Sequence, residues 1–274
     1  MSPTPHWKAR LELGYAHRDG RTLPVHRRHE GPLRVQKHFE PEPGLCEHIL
    51  VHPPAGLAGG DELDLDLRLG PSSRVRITTP GATKWYRSEG IPAFQRVHAR
   101  LDKDSALEWL PEPQILFSGA RARVSLRFDL HPSSRLIAWD VTVFGRKAGD
   151  LPFEVGDLQS RLDVLIDGES AFTDRLVLTA GDPLFRSPLG LDHHDVLGTL
   201  LLVGPPLRAT VLEEARALRP EGLSLGLTQL PSVLVVRLLS NASELATRHL
   251  KDLWTLFRPH LLGAPARPCR IWST

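Results

Sequence analysis

The chain has 274 residues, with 34 Lys+Arg against 32 Asp+Glu and a formal net charge of +2; with both signs interspersed, this is no electrostatic footprint for nucleic acid or an anionic membrane surface. The length suffices to bury a core without staples, and two cysteines, Cys46 and Cys269, do not make a disulfide framework. No apolar run approaches the ~20 residues of a membrane helix and no secretory signal is visible, so the expected setting is cytoplasmic.

Along the chain, strict alternation dominates, and period two means half-buried strands because successive side chains point to opposite faces. Lys8–Tyr15 and Glu47–His52 are the first strand candidates. A stiff, glycine-bearing segment, His52-Pro53-Pro54-Ala55-Gly56-Leu57-Ala58-Gly59-Gly60-Asp61, then leads into Glu62–Leu69, which sets four leucines on one face and four charges on the other. Arg74–Ile77 is a shorter copy and ends in Thr78-Thr79-Pro80-Gly81, a turn. Arg96–Leu101, Arg123–Leu130, Leu136–Phe144, Arg161–Ile166, Leu197–Val203 and Ser232–Leu239 complete the strand set. Two stretches read as helix. One is about Leu207–Leu218, with Val211, Ala215 and Leu218 on one face; the other is about Ala242–Arg258, with Ala246, Leu250, Leu253 and Phe257 in a stripe and Pro259 as its stop. Short, evenly spaced strands separated by 24 prolines and many glycines predict a mainly β fold, a layered stack of many short strands with two α-helices, in one domain over residues 1–274.

Chemistry-bearing patterns are sparse. The His52–Asp61 segment is no phosphate loop, because no Lys-Ser/Thr follows its last glycine and no helix starts there. Lys84-Trp85-Tyr86-Arg87 sets a lysine beside a tyrosine and an arginine, the parts of a general-base pair or an anion clamp, without a nucleophile–base–orienter set. Trp85 is expected to pack, with Lys84 and Arg87 solvated or interfacial. Cys46, His48 and His52 share one predicted strand face, yet His48 and His52 would lie about 13 Å apart at ~3.3 Å per residue, too far for one ion with bonds near ~2.1 Å. Glu108, Glu112, Asp129 and Asp140 read most simply as charges on exposed strand faces. Residue patterns alone end at a soluble, cytoplasmic β-rich domain of unstated function, with an enzyme using Lys84 and Tyr86 near Asp61 and a generic β-rich binding module as open alternatives.

Several islands in order narrow this. Gly31-Pro32-Leu33-Arg34-Val35-Gln36, Phe39-x-Pro41-Glu42, Cys46, His52-Pro53-Pro54 with Gly59-Gly60-Asp61, Thr78-Thr79-Pro80-Gly81-Ala82-x-Lys84-Trp85-Tyr86-Arg87, Leu107-Glu108-Trp109-Leu110-Pro111, Ile115-x-Phe117, and the closing Trp254, Arg258-Pro259 and Arg270-Ile271-Trp272-x-Thr274 together resemble the urease accessory proteins of the D/H type. Ala55 stands where that family usually has glycine, Trp85 replaces a phenylalanine, Cys269 interrupts the ending, and after Gly145-Arg146 the family's Gly-Glu appears as Asp150-Leu151. The resemblance implies a β-rich helical stack that is not itself an enzyme. It implies binding to the helical F-type accessory protein and, through it, the G-type GTPase, and docking on the urease apoenzyme. No cofactor is then bound stably, and nickel is at most in transit. His52, Asp61, Lys84, Tyr86, Arg87, Glu108, Arg146, Trp254, Arg258 and Trp272 become candidates for partner contact or a polar passage, and Pro53, Pro54, Gly56, Gly59, Gly60, Pro80 and Gly81 structural turns. The segment Ala242–Thr274 is expected to form part of the partner surface, the competing reading being that Trp272 tucks into the chain's own core.

Overall fold

The computed structural model describes residues 6–146, 149 and 151–273; Asp150 and Thr274, both noted above, lie outside these. Among the described residues the chain runs through β1 (Lys8–Arg18), β2 (Arg21–Glu30), β3 (Arg34–Val35), β4 (Leu45–Val51), β5 (Gly56–Leu57), β6 (Glu62–Leu69), β7 (Arg74–Thr78), β8 (Thr83–Trp85) and β9 (Ala93–Leu101). It continues through β10 (Ala106–Leu110), β11 (Gln114–Leu116), β12 (Ala120–Leu130), β13 (Arg135–Phe144), β14 (Gly156–Ile166), β15 (Glu169–Thr179) and β16 (Val196–Val203). Helix α1 (Ala209–Ala217), β17 (Leu223–Gln229), β18 (Val233–Ser240) and α2 (Ser243–Leu262) close the fold. It is mainly β with two helices, as the alternation predicted.

Most of the parallel strands are stacked in register, coil upon coil, into two facing sheets. The first has the order β15-β14-β12-β9-β6-β1-β2, and the main path of the second is β17-β18-β16-β13-β10-β7-β4-β3. Register aligns the apolar positions into rows. Leu11, Leu65, Val97, Leu126 and Leu162 form one such row, and Leu13, Leu67, Ala99, Phe128 and Val164 another. A single-residue slip would turn each row to solvent, so the alternating leucines fix the register. These rows face the second sheet's Cys46, Val75, Leu107 and Leu136, aligned in the same way, and the two sets form the larger core. The outer face of the first sheet stays open and charged. The second sheet's other face is covered by α1 and α2, whose Val211, Ala215, Leu250, Leu253 and Phe257 pack on Ile137, Trp139, Leu200 and Val236.

The short strands β5, β8 and β11 make a narrow flank attached to the second sheet through β13, with Leu57, Trp85 and Leu116 in register and buried. Gly56, expected in a turn, lies in β5 instead; a Cβ there would sit 2.4 Å from the Tyr86 ring and 2.6 Å from the Lys84 carbonyl, so only glycine lets the coils close up. Ala55 keeps the left-handed backbone at φ 59° despite its Cβ. Eight of the described strands were not foreseen from the sequence: β3, β5, β8, β10 and β11 are only two to five residues long, while β2, β15 and β17 are longer sheet edges that each bury a single residue (Thr22, Leu178 and Leu223). Helix α2 does not stop before Pro259 but runs on to Leu262. The ring is tolerated in the last turn, and Gly263, left-handed at φ 68°, ends the helix. In α1, Leu218 is the C-cap and exposed rather than part of the buried stripe.

Candidate functional site

The structure sorts the candidate residues into three places. The first is a buried ionic cluster beneath α2. Parallel register puts Glu47, Arg76 and Glu108 side by side on β4, β7 and β10, on the face that turns toward the helix. Arg76 Nη1 donates to Glu47 Oε2 at 3.1 Å and its Nη2 to Glu108 Oε1 at 3.3 Å. From α2, Trp254 Nε1 donates to Glu108 Oε2 at 2.7 Å, and Arg258 Nε donates to both Glu108 oxygens at 3.1–3.2 Å. Arg258 also reaches Glu42, 3.0 Å from Nη1 and 2.6 Å from Nη2, and Arg74 donates to the same carboxylate at 2.6 Å. Glu108 is 1 % exposed, and Arg76 and Arg258 are wholly buried. The sequence reading of Glu108 as a charge on an exposed strand face is thus corrected: α2 covers that face. Burial works against the charge on Arg76, but its acidic neighbours, Glu108 foremost, more than offset it and hold the guanidinium charged.

The C-terminal tail closes over this cluster. Arg258 Nη1 donates to the carbonyls of Ala264 and Pro265, and Arg76 to that of Arg267 at 2.8 Å. Trp272, in a short 3₁₀ turn (Arg270–Ser273), stacks on Trp139 with centroids 5.7 Å apart and meets Trp254 edge-on at 5.4 Å. Trp254 and Arg258 are therefore interior, and Trp272, half-buried, is tied to the chain's own core. Cys269 is buried beside the cluster, and it and Cys46 are free thiols.

The second place is the corner after β4. Asp61 is buried and uses both oxygens on backbone, accepting from Trp7 N at 2.8 Å and from Ala58 N at 2.8 Å. It pins the Gly59-Gly60 turn to the start of β1. Pro53 and Pro54 form the preceding turn, and Pro80 and Gly81 a bend. His52 stands at this corner with both ring nitrogens buried and bonded to no protein group. Desolvation pushes its pKa down, against a smaller opposing pull from Asp61, so the imidazole is neutral.

The third place is the flank of β5, β8 and β11. Period two turns Trp85 inward, where its Nε1 donates to Gln114 Oε1 at 3.0 Å, and turns Lys84 and Tyr86 outward. Tyr86 packs edge-on against Phe117 at 5.4 Å, and the Arg146 guanidinium lies 5.9 Å from the Phe117 ring. Lys84, Tyr86, Ile115, Phe117 and Arg146 line one shallow hollow. Beside it, the Arg87 stem lies against the backbone at Gly119, whose amide donates to Val155 O. Tyr86 is 36 % exposed, Leu151 53 % and Val155 64 %. Four candidates scattered along the sequence, Lys84, Tyr86, Arg87 and Arg146, thus meet on one apolar and cationic surface. No hydrogen bond or ion pair links Lys84 or Tyr86 to Asp61, whose carboxylate is held by the backbone amides of Trp7 and Ala58.

One group that the sequence assigned to an exposed face has a different setting. Asp140, on β13 between the sheets, accepts from Gln114 Nε2 at 2.9 and 3.0 Å and from Thr142 Oγ1 at 3.3 Å. Desolvation nonetheless pushes its pKa up to about 6. The wide spacing of Gln114, Asp140 and Thr142 hides this cluster in the sequence; only the pairing of β11 with β13 assembles it.

The family model described as UreD urease accessory protein matches residues 8–273. The chain is 46% identical over 272 residues to the urease accessory protein UreD of Pseudomonas fluorescens, covering 99% of this chain and 96% of that one. It is 45% identical over 273 residues to UreD 2 of Pseudomonas syringae pv. syringae, again covering 99% and 96%. With the UreD of Pseudomonas aeruginosa the identity is 45% over 276 residues, covering 100% and 98%.

Proposed function

The chain belongs to the UreD urease accessory protein family, and from that premise we propose that it serves urease maturation as a non-enzymatic scaffold whose β5–β8–β11 flank docks the helical F-type accessory protein. In this reading the F-type protein brings in the G-type GTPase, and the assembly sits on the urease apoenzyme in the cytoplasm. Nickel is cargo, passed on toward urease and not kept as a resident cofactor.

The flank is the observation that carries the docking part. It joins exposed aromatic and aliphatic surface (Tyr86, Leu151, Val155) to the cations Lys84, Arg87 and Arg146. Interfaces favour this mixture of aromatic residues and arginine. A single working unit over residues 1–274 is supported by Arg258 of α2 bonding Glu42 and Glu108 from the first half of the chain. The non-enzymatic reading is supported by the setting of the two groups an enzyme would need. Asp61 is consumed by a turn, and Lys84 with Tyr86 has neither nucleophile nor orienting base.

The test is co-expression with the urease subunits and accessory partners, reading nickel content of urease and co-purification of the F-type partner. Omitting the chain should leave urease nickel-poor. The double variant Lys84→Glu/Tyr86→Ala should lose the F-type partner by about 30-fold in affinity, the size of an interface hot spot, at an unchanged melting temperature. Retention of the partner by that variant would assign docking to another face.

A further inference from the structure

Between the two sheets, beside the corner after β4, lies a cavity of about 170 Å³. Its walls are Leu33, Leu50, Leu63, Leu65, Val97 and Trp109, all buried, and its rim is formed by exposed Ala55, Pro80 and Gly81. His52 belongs to the same wall, and it is the anomaly there. Buried polar atoms in folded proteins are bonded in roughly nine cases out of ten, and leaving one unmet costs free energy. Here two such atoms share one ring, and neither Nδ1 nor Nε2 has a protein partner. Asp61 at the same corner accepts from two backbone amides and makes no hydrogen bond to His52.

We propose that this cavity is a binding site for one small, neutral aromatic group bearing a single polar atom, of the size of phenol, with the ring among the leucines and the polar atom bonded to His52. Size fits, because an apolar cavity of about 150 Å³ is known to hold benzene. Chemistry fits as well. A neutral imidazole offers one donor and one acceptor, so it meets a hydroxyl in either sense, and the one charged lining residue, Arg96, is already paired with Glu62 and Asp64. The mouth is built from Ala55, which follows the Pro53-Pro54 turn, and from Thr79-Pro80-Gly81-Ala82, segments that the partner-docking reading leaves without a role. The proposal is independent of that reading, since the flank hollow shares no lining residue with this cavity.

The experiment titrates phenol and toluene into the full chain, following methyl and indole signals by NMR. Phenol should bind in the millimolar range or tighter and shift leucine methyl and Trp109 indole signals. His52→Phe keeps a ring in place and removes the polar atoms; it should weaken phenol about ten-fold and leave toluene unchanged. Ala82→Leu, which fills the mouth without touching His52, should abolish both. Competition between phenol and the co-purified F-type partner assigns the ring to a partner side chain; binding indifferent to that partner assigns it to a free ligand, and either result keeps the site. If phenol binds no better than toluene to the unaltered chain, or His52→Phe leaves phenol binding untouched, or neither ring shifts Trp109, the proposal is wrong.

Discussion

Replacing Glu108 by Gln is the sharpest probe of how this fold is held together. Glu108 accepts from Trp254 and from two guanidinium groups, and no water reaches it. Glutamine keeps the shape and one acceptor oxygen, but its amide NH₂ then points at N–H donors of Arg76 or Arg258. Three guanidinium groups (Arg74, Arg76, Arg258) would be left against two carboxylates (Glu42, Glu47). Removing one partner of a buried, hydrogen-bonded charge set costs about 3–5 kcal/mol, because the remaining charges stay desolvated. At roughly 2.1 cal/mol/K per residue, 274 residues give an unfolding entropy near 575 cal/mol/K, so the melting temperature should fall by about 5–9 °C. Thermal melts followed by circular dichroism read this directly. The control is Glu30→Gln, which breaks the exposed pair with Arg28 and should move the melt by no more than about 1 °C. A Glu108→Gln protein melting within about 2 °C of the parent would refute the reasoning and show the cluster to be a tolerated passenger.

Two further outcomes are expected. Asp140 has a folded-state pKa raised to about 6, above its unfolded value. The stability linked to its proton is therefore present below about pH 4 and is lost as pH rises through 6. Asp140→Asn should stabilise the protein by about 1–2 kcal/mol at pH 7.5, discounted for partial screening, and the two melting curves should converge near pH 4; a gain independent of pH would contradict the assignment. Ending the chain at Pro268 removes buried Cys269 and the Trp272 ring that joins Trp139 and Trp254. The loss of a large packed aromatic should cost about 3 kcal/mol or more, so the truncated chain should melt at least about 5 °C lower. An unchanged melt with loss of the F-type partner would instead restore the tail to the docking surface.

Residue order alone was enough for the long, half-buried strands and for both helices. Four leucines alternating with four charges in Glu62–Leu69 admit one local geometry, and Ala246, Leu250, Leu253 and Phe257 admit one helix face. The motif islands were enough for the family. What stayed hidden shares one physical cause: the sequence shows which residues alternate, not what covers the face they alternate toward. Arg76 and Glu108 look like the outward charges of ordinary strands, and in the first sheet the equivalent charges do face water. On the second sheet the same pattern lies under α2 and the tail, so the charges become an interior cluster tied by register across β4, β7 and β10 to an arginine near the end of the chain. Edge strands β2, β15 and β17 escaped notice for the converse reason, having almost nothing to bury. Lys84, Tyr86, Arg87 and Arg146 were legible as residues, but their meeting on one flank depends on β8 pairing with β11 on one side and, on the other, with β5, where the glycine at position 56 leaves no room for a side chain. His52 read as one member of a metal-like strand face; the strand ends one residue earlier, and only the closing of two sheets over it makes an orphaned imidazole in an apolar wall.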